Sequence, residues 1–247
     1  MIPRSGGFPH PSLVTSRKGA LLGSGQEQAF ALGRGSGVFY CSMEIVAATR
    51  NRKKLEEIKR ITEGMPVTLL TLDEFPRCPE VPETADTFEG NAVAKALSVA
   101  RCAGRAAIAD DSGLEVEALG GAPGVFSARY AGEGATDEDN LRKLLREMQG
   151  VPEGRRDARF VCVVAFALPG GTAETFRSEV RGKIGRRPLG RTGFGYDPVF
   201  YPEGGDRTFA EMSAPEKDAM SHRGRALEEF RKYLAGIFKK NQINPYG

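Results

Sequence analysis

The 247-residue chain is poor in the residues that build metal cages and redox centres. It has two histidines and four cysteines (Cys41, Cys78, Cys102 and Cys162), and no Cys-x-x-Cys pair among them. This argues against a zinc site, and the wide spacing reads as free thiols in a reducing cytoplasm. No run of eighteen apolar residues occurs, so no membrane span is expected. No internal repeat is visible. A domain-wide basic stripe, the footprint of a nucleic-acid binder, is also missing. The net charge of +3 arises within residues 1–42, where Arg4, Arg17, Lys18 and Arg34 stand against Glu27 alone; the remaining positions balance.

What is present suits a globular protein: 40% hydrophobic and 27% charged residues, ample for one large domain. Residues 1–42 differ from the rest. Gly, Ser and Pro supply 17 of the 42, and such a segment cannot bury enough surface to offset its ordering entropy. Its Ala20-Leu21-Leu22 patch is too short for a signal peptide. The sequence therefore predicts a dispensable, disordered extension over 1–42, one domain over 43–240 starting at Met43, and a short tail over 241–247.

From Met43 the elements alternate. Glu44–Ala48 reads as a buried strand, and Asn51 can cap a helix whose face is Leu55, Ile58 and Ile61. Val67–Leu72 is a second strand, and Phe88–Cys102 is an Ala-rich helix. Ala106–Ala109 is a short apolar strand. Thr136 precedes the acidic turn Asp137-Glu138-Asp139, which suits a helix start. Arg159–Leu168 and Thr175–Val180 flank Pro169-Gly170-Gly171 as a hairpin. Leu227, Phe230, Leu234 and Ile237 mark a last helix. The order predicts an α/β fold with a mixed sheet flanked by helices.

Five segments carry candidate chemistry. Asp110-Asp111-Ser112-Gly113 follows the Ala106–Ala109 strand. Adjacent carboxylates at a strand's end point to a cationic partner, a ligand or a metal, although a solvated turn has the same composition. Thr49-Arg50-Asn51-Arg52-Lys53-Lys54 lies between a strand and a helix, where basic side chains and free amide groups suit an anion. It lacks the glycines of a phosphate-binding P-loop, and taken alone it is better explained as an N-cap with a solvated basic turn. Thr87 to Ala96 sets Glu89 and Asn91 at a helix start, with capping as the competing explanation. Gly193-Phe194-Gly195-Tyr196-Asp197 allows a backbone to approach a flat ligand while a ring stacks on it, with a Gly-rich loop that anchors one aromatic in the core as the competing explanation. In Ser213 to Arg223, Ser213 is a plausible N-cap with Pro215 just inside the helix; Lys217 and Arg223 taken alone fit ordinary surface cations, and His222, the one histidine of the folded body, fits a structural role.

Together these segments resemble the house-cleaning inosine/xanthosine triphosphate pyrophosphatase family over nearly all of residues 43–238. The resemblance rests on T-x-N-x-x-K (Thr49, Asn51, Lys54), A-D-D-S-G-L (Ala109 to Leu114), G-G-A-P-G-V-F-S-A-R-Y-A-G (Gly120 to Gly132), G-F-G-Y-D-P-x-F (Gly193 to Phe200) and S-H-R-G (Ser221 to Gly224). It implies an elongated fold with two lobes and a central cleft, a homodimer, and Mg²⁺-dependent hydrolysis of ITP, dITP or XTP to the monophosphate and pyrophosphate. By the same resemblance Asp111 is the proton acceptor and a metal ligand. Thr49, Arg50, Asn51, Arg52, Lys53, Lys54, Ser112, Phe194, Gly195, Tyr196, Asp197, Lys217, His222 and Arg223 are substrate contacts, with Phe194 stacking on the purine and His222 and Arg223 donating to its 6-oxo group. Many relatives carry a glutamate where this chain has Gly90, which leaves Glu89, or Asp110 with Asp111, to complete the metal site. A pyrophosphatase for other modified nucleotides and a non-catalytic nucleotide sensor are the alternatives.

Overall fold

A computed structural model describes residues 30–33 and 40–242 of the chain, with side chains over 42–239. One open seven-stranded sheet runs through it. Its strands are β1 (Phe30–Gly33), β2 (Tyr40–Ala47), β3 (Val67–Thr71), β4 (Ala106–Val116), β5 (Asp157–Ala167), β6 (Ala173–Ile184) and β7 (Phe200–Pro202). The order is β1-β2-β4-β5-β6-β7, with β3 also on β2. The pairs β2–β3 and β2–β4 are parallel and all others antiparallel. The helices are α1 (Arg52–Thr62), α2 (Phe88–Ala103), α3 (Asp137–Glu147), α4 (Ala214–Met220) and α5 (His222–Gln242).

Period-2 alternation decides which helix each strand residue meets. On one face Val46, Ala107, Ala109 and Val163 pack against Ala92, Ala96 and Val99 of α2. On the other, Ile45, Ile108, Val164 and Phe166 meet Ile58 of α1 and Leu227, Phe230 and Leu234 of α5. The far ends of β4 to β6 carry a third cluster with Leu141 and Leu144 of α3, Tyr196, Phe200 and Phe209. The mixed sheet flanked by helices is as expected, and its long strands β4 to β6 link the three clusters.

Several expectations change. The strand predicted over Ala106–Ala109 continues through the Asp pair to Val116, so Asp110 and Asp111 lie mid-strand, opposite Val164 and Val163 of β5. Cationic side chains from three helices reach both carboxylates, which removes the reason for the strand to end there. Phe30–Gly33 pairs with Tyr40–Met43, so that part of the predicted extension is ordered as strand; residues 1–29 and 34–39 lie outside the described residues, as do 243–247. Cys78 and Cys102 form a disulfide rather than two thiols, their Cα atoms 5.6 Å apart, a separation that a disulfide spans. Cys162 is a buried free thiol, and the side chain of Cys41 is outside the described set. Among the described residues no helix is long and apolar enough to cross a membrane.

Candidate active site

The register of β2 creates the site. β2 pairs with β4 only as far as Ala47 opposite Ile108. Beyond that point, after one more bond from the Ala48 N–H to the Ile108 carbonyl at 2.7 Å, β2 leaves β4, and the segment turning out of it brings Lys54 Nζ to 3.1 Å from Asp110 Oδ2. Alternation then sends Asp110 toward α1 and α5, and Asp111 toward α2.

Asp111 is held from α2. Its Oδ2 accepts from Asn91 Nδ2 at 3.1 Å, and its Oδ1 accepts from Lys95 Nζ at 3.0 Å. Asn91 and Lys95 are four residues apart on one helical face. Lys95 Nζ also donates to the Asp110 carbonyl (2.9 Å) and to Glu83 Oε1 (2.9 Å), which accounts for all three ammonium hydrogens. Burial pushes the Asp111 carboxyl above its ordinary value; Lys95 opposes this, and the negative charge of Glu83 adds to it. A buried carboxylate held so that it is easier to protonate than usual has the character of a base.

Glu83 was not legible as a site residue. It sits in the segment before α2, where Arg129 anchors it by Nη1 to Oε2 at 3.2 Å and Nη2 to its carbonyl at 3.0 Å. Asn91 Oδ1 accepts from the Ala85 N–H at 2.9 Å and ties the same segment down. Gly90 permits this: a Cβ there would lie 2.7 Å from the Ala85 Cβ. Glu89 accepts from Thr175 Oγ1 on β6 at 3.2 Å and does not join the Asp111 cluster.

Asp110 belongs to a second, more deeply buried network. Its Oδ2 accepts from Arg223 Nε (3.1 Å) and Nη2 (3.0 Å), and Lys54 Nζ stands at 3.1 Å. Arg223 also donates to Glu57 Oε2 (2.6 Å) and Ser112 Oγ (2.7 Å). Lys217 Nζ bridges Glu57 Oε1 (3.1 Å) and Asp197 Oδ2 (2.8 Å). Burial disfavours the charged form of Asp110, but Lys54 and Arg223 outweigh it and hold the carboxyl far below the usual range. Glu57 is likewise held low by Arg223 and Lys217 against the effect of burial. Burial pushes Asp197 upward, with Lys217 opposing. With its Oδ2 on two cations, Asp110 acts as an anchor for Arg223, although its Oδ1 is buried without a partner.

Phe194 lies beside both networks. The charged ends of Lys217, Arg223 and Lys53 approach its ring centroid at 4.9, 5.4 and 5.5 Å, distances at which a cation is drawn to an aromatic face. The Phe194 N–H donates to Asp197 Oδ2 at 2.8 Å. Tyr196 turns the other way: it is buried, and its hydroxyl donates to the Ser127 carbonyl at 2.9 Å, so it anchors the loop in the core. His222 stacks on Phe160 with centroids 4.5 Å apart and planes 5° from parallel. Burial, then Arg223 and Lys217, push it well below its ordinary value, which keeps it neutral, and its Nδ1 is buried without a partner.

The first basic segment divides. Asn51 is the N-cap of α1, its Oδ1 accepting from the Lys53 and Lys54 N–H groups at 3.0 and 3.3 Å, and Thr49 Oγ1 accepts from the Asn51 N–H at 3.1 Å. Those amides are satisfied within the protein, so the anion character of this turn rests on its side chains. Lys54 enters the buried network, while Arg50, Arg52 and Lys53 are exposed on the same turn. Asp111, Asp110, Arg223 and Phe194 are thus brought together. Glu57, Glu83 and Lys95 are site residues for which the sequence reading offered no role; only Lys95, four residues after Asn91, carried a usable spacing signal.

Two carboxylates, Asp111 and Glu83, converge on one ammonium. Among the described residues no cluster of three or more His, Cys, Asp or Glu groups could hold a metal. This donor set matches a hard divalent ion that keeps several waters and takes few protein carboxylates.

The Ham1 family profile matches residues 45–233. A dITP/XTP pyrophosphatase of Geobacter sulfurreducens is 50% identical over 190 residues, covering 77% of this chain and 96% of the relative. One of Mycobacterium tuberculosis is 52% identical over 188 residues, covering 74% and 91%. Among solved structures, a HAM1 protein from Coxiella burnetii superposes with a TM-score of 0.72 at 40% identity, covering 78% of this chain and 98% of that one. The match to the profile spans both carboxylate networks and every strand from β3 to β7, and on it the chain belongs to the Ham1 family.

Proposed function

We propose that this chain hydrolyses non-canonical purine nucleoside triphosphates (ITP, dITP and XTP) to the monophosphate and pyrophosphate. The observation that carries the reading is the Asp111 carboxylate, gripped by Asn91 and Lys95, one residue along β4 from the anchor of Arg223. The relatives named above as dITP/XTP pyrophosphatases support the substrate class.

The chemistry needs alignment and charge stabilisation more than covalent participation. Asp111 takes a proton from water as its oxygen bonds to the α-phosphorus, and the bond to the bridging oxygen breaks to release pyrophosphate. Asn91 and Lys95 fix the direction of the Asp111 lone pairs. Lys53, Lys54, Arg50 and Arg52 offset the polyphosphate charge. Asp111 and Glu83 would hold Mg²⁺, which when bound neutralises phosphate charge and makes the α-phosphorus more electrophilic. Phe194 offers the purine a face. Neutral His222 and the remaining Arg223 hydrogen read the base edge: a 6-oxo group accepts from them, whereas the amino group of adenine leaves a donor unpaired.

A homodimer is part of the reading. Phe126, 56% exposed and the one exposed large hydrophobic among the described residues, borders a hollow of about 520 Å³ lined by Pro123, Val125 and Arg177, a surface suited to a second copy. The substrate pool favours the cytoplasm.

The test is a pyrophosphate-release panel of ITP, XTP, dITP, ATP and GTP with Mg²⁺, run on the wild type and Asp111→Asn. The 6-oxo non-canonical purines are expected to exceed ATP and GTP in kcat/KM. The variant is expected to lose at least ~100-fold in turnover, the scale of a general base, while keeping its fold. Equal rates across the panel would remove the specificity; a variant near wild-type turnover would remove Asp111 from its role. Tight triphosphate binding with no turnover in the wild type would favour the sensor.

A further inference from the structure

Asp137 is the first residue of α3, and the helix does not need it as a cap. Thr136 and Asp139 already cap α3 reciprocally: the Asp139 N–H donates to Thr136 Oγ1 at 3.2 Å, and the Thr136 N–H to Asp139 Oδ2 at 3.0 Å. The Asp137 carboxylate instead makes two contacts outside its helix. Its Oδ2 accepts from the Gly195 N–H at 3.1 Å and stands 3.5 Å from Lys53 Nζ. Lys53 lies in the first turn of α1, and Gly195 follows Phe194 in the loop before β7. Asp197 holds the N–H of Phe194 at 2.8 Å, so the Phe194 turn is pinned on one side by Asp197 and on the other by Asp137. The two pins differ in setting. Asp197 is buried, whereas the side chains of Lys53 and Asp137 are 54% and 57% exposed. An ion pair so placed is weak and readily exchanges partners.

We infer that Asp137 is a positioning residue: it clasps the Phe194 turn to the basic first turn of α1 across the mouth of the active site, through the Gly195 N–H and the Lys53 ammonium. It touches no reacting atom. Its effect falls on nucleotide capture, because Phe194 and Lys53 are where base and polyphosphate are read. The inference rests on the nucleotide-hydrolase reading above.

The test combines ITP kinetics in Mg²⁺ with hydrogen exchange at the Gly195 amide, on the full chain. Asp137→Ala is expected to raise KM about fivefold, the upper range for loss of an exposed pair, with kcat within about twofold of wild type. Its Gly195 amide exchanges faster. Glu138→Gln, in the same helical turn but bonded to Arg142 at 2.7 Å, leaves KM and the Gly195 amide unchanged. In a Lys53→Met background the Asp137→Ala factor shrinks. An unchanged KM, an equal factor in both backgrounds, or a matching effect in Glu138→Gln would each overturn the clasp. Failure of the wild type to hydrolyse ITP would sink the functional reading instead, and the exchange rate of Gly195 then decides the clasp by itself.

Discussion

Arg223 is buried, and its guanidinium directs four hydrogen bonds to Asp110, Glu57 and Ser112. Burial disfavours its charge, yet Asp110 and Glu57 hold it firmly protonated. Arg suits this role because its planar fork meets two acceptors at once. Removing it leaves two buried carboxylates short of a partner, the costly way to break an ion pair. Arg223→Met is expected to lower unfolding stability by about 3–5 kcal/mol, read from urea denaturation at neutral pH. Adding Asp110→Asn should cost less than the sum of the single changes, since the two share one network. A loss under about 1 kcal/mol, the value of a surface pair, would show that the network is solvated. These contacts were only half readable beforehand. Adjacent carboxylates demanded cations, and Lys54 and Arg223 were both candidates. Glu57 gave no sign, because its partners Lys217 and Arg223 lie 160 and 166 positions away and nothing local marks a helix-face glutamate as buried.

At the scale of elements, β4 carries most of the argument. Its alternation sends the two carboxylates to opposite helices, a consequence of period 2 that could have been drawn from Ala106–Asp111 alone. It was missed because adjacent charges suggested an ending. The same strand shows why a glycine follows Ser112. A Cβ at Gly113 would fall 2.4 Å from Ser127 Oγ, 2.5 Å from the Gly124 carbonyl and 2.9 Å from Phe88. Ser127 Oγ accepts from the Leu114 N–H at 2.9 Å and donates to the Gly124 carbonyl at 2.7 Å, stitching that loop to the strand. Gly113→Ala therefore overpacks the junction and pushes on Phe88, the first residue of the helix that holds Asp111. It is expected to cost about 2 kcal/mol, seen as a lower urea midpoint with unchanged slope. A neutral outcome would mean that the Gly120 to Gly124 loop yields freely. The helices α1, α3 and α5 were legible because one face of each is apolar at the right period, and the β5–β6 hairpin because a continuous apolar run meets the turn residues Pro169-Gly170-Gly171. The Cys78–Cys102 link was not, since a pairing across 24 residues leaves no local pattern.

For the whole molecule, the question is how much of the chain the fold requires. The relatives are covered almost end to end by about three quarters of this chain, and the family profile begins at residue 45. The three core clusters draw none of their described buried members from positions before Met43. β1 complicates a clean cut at Met43, since an unpaired strand edge invites aggregation. Its register removes the difficulty. Phe30–Gly33 pairs with Tyr40–Met43, whereas β3 and β4 pair with Met43–Ala47 and Ile45–Ala47. Cutting before Met43 deletes β1 together with nearly all of the segment it pairs with, and leaves the parallel core of the sheet intact. A chain starting at Met43 is therefore expected to stay monodisperse, unfold within about 0.5 kcal/mol of the full chain, the usual range for changes outside the packed structure, and keep its kcat/KM for ITP within about twofold. Aggregation would show that β1 shields the sheet edge. A fall in kcat/KM at unchanged stability would show that residues before Met43 reach the nucleotide.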